Sequence, residues 1–152
     1  LTNLQVTVGG ATRFESVKNG LKLITEKTGL VAIHDAVRPC IAPGIINRCY
    51  QIAKVAGSAI VCVPSKDSLR KKVDDATVAV DRSKYYLVQT PQVFDITMLN
   101  SAYHEASGDH FTDDASVVEH AGHQVSLVVG DYKNIKITTP EDLLVAEAYL
   151  NP

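Results

Sequence analysis

A carboxylate and a guanidinium three residues apart, directly after a run of apolar residues, form the first pair in this chain able to do chemistry: His34-Asp35-Ala36-Val37-Arg38-Pro39 follows Leu30 to Ile33. In open α/β sheets, ligands bind beyond the carboxyl ends of the strands. Asp35 is therefore a candidate magnesium ligand and Arg38 a candidate phosphate clamp. On spacing alone, a turn-capping Asp35 paired with Arg38 accounts for the pattern at least as well. Val8-Gly9-Gly10 ends a second strand-like run, where glycine lets backbone approach a ligand and the next helix turns its N–H groups toward an anion. A simple turn with Ser16 on the helix surface is the plainer reading. In Asn134-Ile135-Lys136-Ile137-Thr138-Thr139-Pro140, Lys136 could face a site or snorkel into solvent. Thr90, in Gln89-Thr90-Pro91-Gln92-Val93-Phe94, could donate to a phosphate, although strand termination before Pro91 explains it as well. Thr112 precedes Asp113 and Asp114, the pattern of an ordinary helix N-cap.

Other chemistries find less support. His34, His104, His110, His120 and His123 lack ligand spacing, and no serine lies in a GxSxG elbow, so a hydrolase with a protein nucleophile is disfavoured. Cys40, Cys49 and Cys62 show no zinc spacing, and their odd number argues against a disulfide framework. They read as reduced, mostly buried thiols of a cytosolic protein.

The elements that must position these residues alternate. Apolar, β-branched runs at Leu4 to Val8, Leu30 to His34, Ala59 to Val63 and Val125 to Val129 have the length of buried strands. Helical spacing of apolar residues runs from Arg13 to Lys27 and from Ile45 to Ala56. Strand-helix-strand-helix order predicts an α/β fold with a doubly wound, mostly parallel sheet. Three later helices are expected near Ile96 to Ala106, Asp113 to Ala121 and Pro140 to Leu150. Thr139, Pro140, Glu141 and Asp142 mark the start of the last one. Between Pro64 and Gln89 the chain is charged, then alternates through Thr77-Val78-Ala79-Val80-Asp81-Arg82. That pattern predicts a protruding two-stranded β-arm over residues 64–90, with a poor core of its own and packed on another subunit in a homodimer.

The chain has 152 residues, 45% hydrophobic and 21% charged, which suits one domain over 1–152. A net charge of -2 supplies no basic field, so nucleic acid is not an expected partner. No apolar stretch approaches the roughly 18 residues of a membrane span, and Leu1-Thr2-Asn3 is too polar for a signal peptide. No membrane association is expected, and the localisation read from these features is cytoplasmic. Because Leu1 is not Met and a strand-like run follows at once, the chain is expected to begin mid-domain.

The ordered set Gly-Gly…Arg…Ser-Val…Gly-Leu, His-Asp-Ala-Val-Arg-Pro, Val-Asp-Arg, Gln-Thr-Pro-Gln-Val-Phe, Thr-Asp-Asp-Ala-Ser and Asn-Ile-Lys-Ile-Thr-Thr-Pro-Glu-Asp-Leu resembles the 2-C-methyl-D-erythritol 4-phosphate cytidylyltransferases over nearly the whole chain. The combination is far more specific than any member. The resemblance implies a Rossmann-like sheet of the nucleotidyltransferase type. It also implies transfer of CMP from CTP to 2-C-methyl-D-erythritol 4-phosphate, with magnesium, in isoprenoid precursor synthesis.

Carried over by position, Asp35 matches a metal- and substrate-associated acid, Arg38 an acceptor contact, and Lys136 the lysine that positions the acceptor phosphate. Arg82 matches an arginine reaching the neighbouring subunit's site. Thr90 and Thr112 match acceptor-binding threonines, Ser68 stands where the arm usually has threonine, and Gly10 and Ser16 match nucleotide-side contacts. Ala11 departs from the acid often found there. The glycine-rich segment that holds the triphosphate has no counterpart in the sequence, which raises the alternative of a dimerising, acceptor-binding fragment without catalysis. Ribitol 5-phosphate cytidylyltransferases resemble the chain too and stand second.

Overall fold

Apolar residues on alternate sides of the same strands explain the layering. In the computed structural model, which describes residues 4–107 and 110–151, the elements in chain order are α1 (Arg13–Leu21), β1 (Leu30–Ile33), α2 (Pro43–Ala56), β2 (Ser58–Pro64), β3 (Arg70–Val73), β4 (Ala76–Ala79), a short 3-10 turn (Arg82–Lys84), β5 (Tyr86–Asp95), α3 (Ile96–Glu105), α4 (Asp114–His120), β6 (Leu127–Val129) and α5 (Pro140–Leu150). Ile60 and Phe94 face one way and pack with Phe14, Leu99, Tyr103, Val117 and Val118 of α1, α3 and α4. Ala59, Val61 and Val93 face the other way and meet Ile45, Cys49 and Ala53 of α2. With both faces of β2 covered, its successive positions from Ala59 to Val63 are all apolar, which is why that strand reads as an unbroken run.

The main sheet has the order β1-β5-β2-β6. β2 and β6 pair in parallel, whereas β5 pairs antiparallel with both β1 and β2. Three strands thus share one direction, in keeping with the expected α/β fold, and β5 runs against them near the middle.

The sequence reading missed β5 because Pro91 suggested an end. The strand continues through Pro91 to Asp95. Its pairing with β2 jumps from Ile60↔Gln92 to Cys62↔Val88, so Gln89, Thr90 and Pro91 lie opposite the single residue Val61. A proline in such a bulge deprives the ladder of no hydrogen bond.

The expected strand over Leu4 to Val8 is corrected. No strand forms there, and Leu4, Val6 and Val8 are exposed. β-Branched composition makes a strand only where another strand pairs with it, and no described strand pairs with this segment. Leu1, Thr2 and Asn3, read as too polar for a signal peptide, lie outside the described residues. Helix α1 stops at Leu21, short of Lys27, but Ile24 still packs on the core through the following turn.

Within the charged 64–90 stretch, β3 and β4 form an antiparallel hairpin whose eight strand residues are all exposed. Among the described residues no helix is long and apolar enough to cross a membrane. The cysteines are unpaired, and burial pushes the Cys49 and Cys62 thiols up and away from reactivity.

Candidate active site

Asp35 leaves the end of β1 into a ring of positive charge. Lys136 Nζ lies 3.3 Å and Arg38 Nε 3.4 Å from Oδ2, and Arg13 Nε lies 3.6 Å from Oδ1. Burial opposes the carboxylate's charge, yet Lys136, Arg13 and Arg38 together outweigh it and hold the Asp35 carboxyl below its ordinary range. These residues line a cavity of about 250 Å³ that also receives Gln89, Thr90, Gln92, Thr112 and Asp113.

Three different parts of the chain deliver the cations. Arg13 comes from the first turn of α1, whose N-cap Thr12 accepts the Glu15 N–H. Its Nη2 donates at 2.6 Å to Asp114, a fully buried carboxylate that also accepts from the Tyr103 hydroxyl at 2.6 Å. Burial disfavours the Arg13 charge, but its bond to Asp114 prevails and raises its pKa. Burial and the same carboxylate push the Tyr103 phenol far up. Removing one partner of such a buried pair costs about 3–5 kcal/mol.

Arg38 lies in the loop after β1 and donates to the Asn134 carbonyl at 2.8 Å. Lys136 lies in the loop before α5, and the Ile137 N–H binds the Val37 carbonyl, tying the two loops together. The start of α5 follows the expected signals: Thr139 is the N-cap, Pro140 the first helical residue, and Asp142 accepts the Thr139 N–H at 2.8 Å.

The bulge in β5 places Thr90 past the end of β1. Its hydroxyl accepts the Asp35 N–H at 3.0 Å and lies 3.0 Å from His34 Nδ1. Strand termination therefore does not explain Thr90. Nor does capping explain Thr112: the N-cap of α4 is Asp113, which accepts the Ser116 N–H at 3.0 Å. Gln92 of β5 latches that helix start, accepting from the Ala115 N–H and donating to Asp113 Oδ2.

The remaining candidates lie away from the cavity lining. Gly10 N–H donates to Ser16 Oγ at 2.9 Å, and Ser16 donates to the Thr12 carbonyl. A Cβ on Gly10 would overlap Glu15 Cβ, so only glycine fits beside the first turn of α1. Arg82 donates to the Lys66 carbonyl at the root of the hairpin, and Ser68 lies on the same approach.

The family model described as IspD, 2-C-methyl-D-erythritol 4-phosphate cytidylyltransferase, matches residues 1–152. The chain belongs to this cytidylyltransferase family. A relative of that description from Porphyromonas gingivalis is 46% identical over 147 residues, covering 96% of this chain and 66% of the relative. Another, from Bacteroides fragilis, is 49% identical over 142 residues, covering 93% of this chain and 64% of the relative. The chain thus spans just under two thirds of the length of these relatives. The crystal structure of 2-C-methyl-D-erythritol 4-phosphate cytidylyltransferase from Thermus thermophilus superimposes with a TM-score of 0.86 at 37% identity, covering 95% of this chain and 71% of that one. That of 4-diphosphocytidyl-2C-methyl-D-erythritol synthase from Anaerococcus prevotii does so with a TM-score of 0.90 at 33% identity, covering 99% of this chain and 71% of that one.

The structure brings together Asp35, Arg38, Thr90, Thr112 and Lys136 around one cavity, while Ser68 and Arg82 lie outside its lining. The sequence reading quoted Arg13 within a motif without placing it in the site. Its signal was available in hindsight only as an arginine at a helix start, where a cation is unfavourable unless an acid answers it. Asp114, Gln92 and Asn134 were missed because their partners are 11 to 101 residues away in sequence.

Proposed function

We propose that the protein transfers CMP from CTP to 2-C-methyl-D-erythritol 4-phosphate, releasing pyrophosphate and forming 4-diphosphocytidyl-2-C-methyl-D-erythritol for isoprenoid precursor synthesis. The observation that carries the reading is Asp35 encircled by Arg13, Arg38 and Lys136 in a small cavity edged by the Thr90 and Thr112 hydroxyls. Three cations against the two carboxylates Asp35 and Asp113 leave the lining with one net positive charge, suited to a phosphate monoester. An acceptor phosphate oxygen attacks the α-phosphorus of CTP, and the bond to the β-phosphate oxygen breaks. The attacking oxygen is already anionic, so no general base is needed.

The work left to the protein is alignment and charge neutralisation. Lys136 and Arg38 hold the acceptor phosphate, with Thr90 and Thr112 donating to its oxygens. Gly10 and Ser16 stand on the nucleotide side. The hairpin is a dimerisation arm, a reading supported by the exposure of all its strand residues and of Tyr86, Leu87 and Val88 beside it. It carries Ser68 and Arg82 to the partner subunit's acceptor. The protein acts in the cytoplasm, free of nucleic acid and membrane.

Among the described residues no group of three His, Cys, Asp or Glu side chains could hold a metal alone. One carboxylate completed by substrate phosphate oxygens is nonetheless a donor set that suits magnesium, and Asp35 supplies that carboxylate. When bound, magnesium neutralises charge developing on the triphosphate.

The test is magnesium-dependent pyrophosphate release from CTP, with methylerythritol phosphate and ribitol 5-phosphate offered in parallel. Release with the former alone is the expected result. Release with the latter alone makes the protein a ribitol phosphate enzyme, and no release with either refutes cytidylyl transfer and leaves a dimerising, acceptor-binding chain.

A further inference from the structure

Thr90 and Arg38 converge on a residue that does not line the cavity. Asn134 is fully buried. Its backbone carbonyl accepts from Arg38 Nη1 at 2.8 Å, and its side-chain amide donates to the Thr90 carbonyl at 2.9 Å and to Gln89 Oε1 at 3.2 Å. Lys136 follows two residues later in the same loop. We infer that Asn134 is the positioning residue of the acceptor-phosphate site, holding the β5 bulge, the loop after β1 and the lysine loop in one register. This inference rests on the cytidylyltransferase reading.

Two backbone carbonyls dictate the polarity of the cluster. Gln89 Nε2 donates to the Asp131 carbonyl at 2.9 Å, which turns Gln89 Oε1 toward Asn134. The Thr90 carbonyl faces the same point. Two acceptors meeting there require a double donor, and an amide NH₂ supplies one without a charge. Gly130 keeps Gln89 in place, since a Cβ there would come within 2.5 Å of Gln89 Oε1.

Asn134 Oδ1 is the one buried side-chain polar atom without a partner among the described residues. A residue retained for packing alone would not carry that penalty. The amide is kept for its two donors, and the bonds they make end on groups adjoining the phosphate cavity.

Asn134→Asp preserves shape and replaces both donors with an oxygen that repels the two acceptors. Steady-state kinetics with each substrate varied in turn should show the KM for methylerythritol phosphate rising about tenfold or more, with the KM for CTP unchanged. Asn134→Ser, which can donate once, should give a smaller rise and covers the case in which the aspartate variant does not fold. Equal changes in both KM values, a fall in kcat with both KM values unaltered, or failure of both variants to fold would overturn the inference and make Asn134 a structural residue. Absence of turnover in the parent protein would instead overturn the cytidylyltransferase reading, so the two failures are distinguishable.

Discussion

Asp35 is the residue whose environment is most unlike that of an isolated carboxylate. Three cations from three separate segments share its two oxygens, so its ionised form is favoured by folding. Its folded-state pKa lies below the ordinary value of 3.8. The stabilisation from its charge is therefore present above about pH 3.8 and fades as pH falls through the lower folded value. At pH 7, Asp35→Asn should be less stable than the parent by about 1–2 kcal/mol in urea unfolding, since it leaves the cations unanswered. The gap should close as the pH is lowered below 3.8, and a gap independent of pH would show that the charge of Asp35 is not what stabilises the fold. Arg13 adds a second layer: fastened to buried Asp114, it turns one side toward Asp35 while remaining tied to the core.

At the level of elements, β5 organises the site. Its bulge lifts Thr90 to Asp35, and two residues later fully buried Gln92 fixes the start of α4. Thr112, just before that helix, therefore takes its place from a strand twenty residues earlier. Gln92→Leu leaves the Ala115 N–H and one Asp113 oxygen without partners, at a cost of about 1–3 kcal/mol. Hydrogen exchange should reveal faster exchange of the first-turn amides of α4 than in the parent, with those of α2 unaltered. Unchanged protection in α4 would mean that Gln92 merely fills space.

For the whole molecule, the two-faced core explains a stable α/β layer, while the β3–β4 hairpin contributes nothing buried. If the hairpin delivers Arg82 to the partner's acceptor, two inactive variants can complement. Mixed dimers of Arg82→Ala and Lys136→Ala subunits should recover turnover at one of their two sites, because one site then draws both residues from unaltered surfaces. No recovery would place Arg82 in its own subunit's site.

The alternating α/β order and the capping of α5 were legible in the sequence, because strand-length apolar runs, three- and four-residue spacing and N-cap chemistry are local properties of the chain. The family was legible too, since its motifs are short and ordered. The pairing partners were not local. Leu4 to Val8 has strand composition but pairs with no described strand, and Tyr86 to Asp95 forms a central strand despite Pro91 because the bulge spares the proline's missing N–H. The same limit hid Arg13, Gln92, Asp114 and Asn134 from the site. Each was visible as a residue type, but a buried carboxylate, a helix latch or a double donor exists only once folding brings distant acceptors and charges within about 3 Å, where hydrogen bonds form.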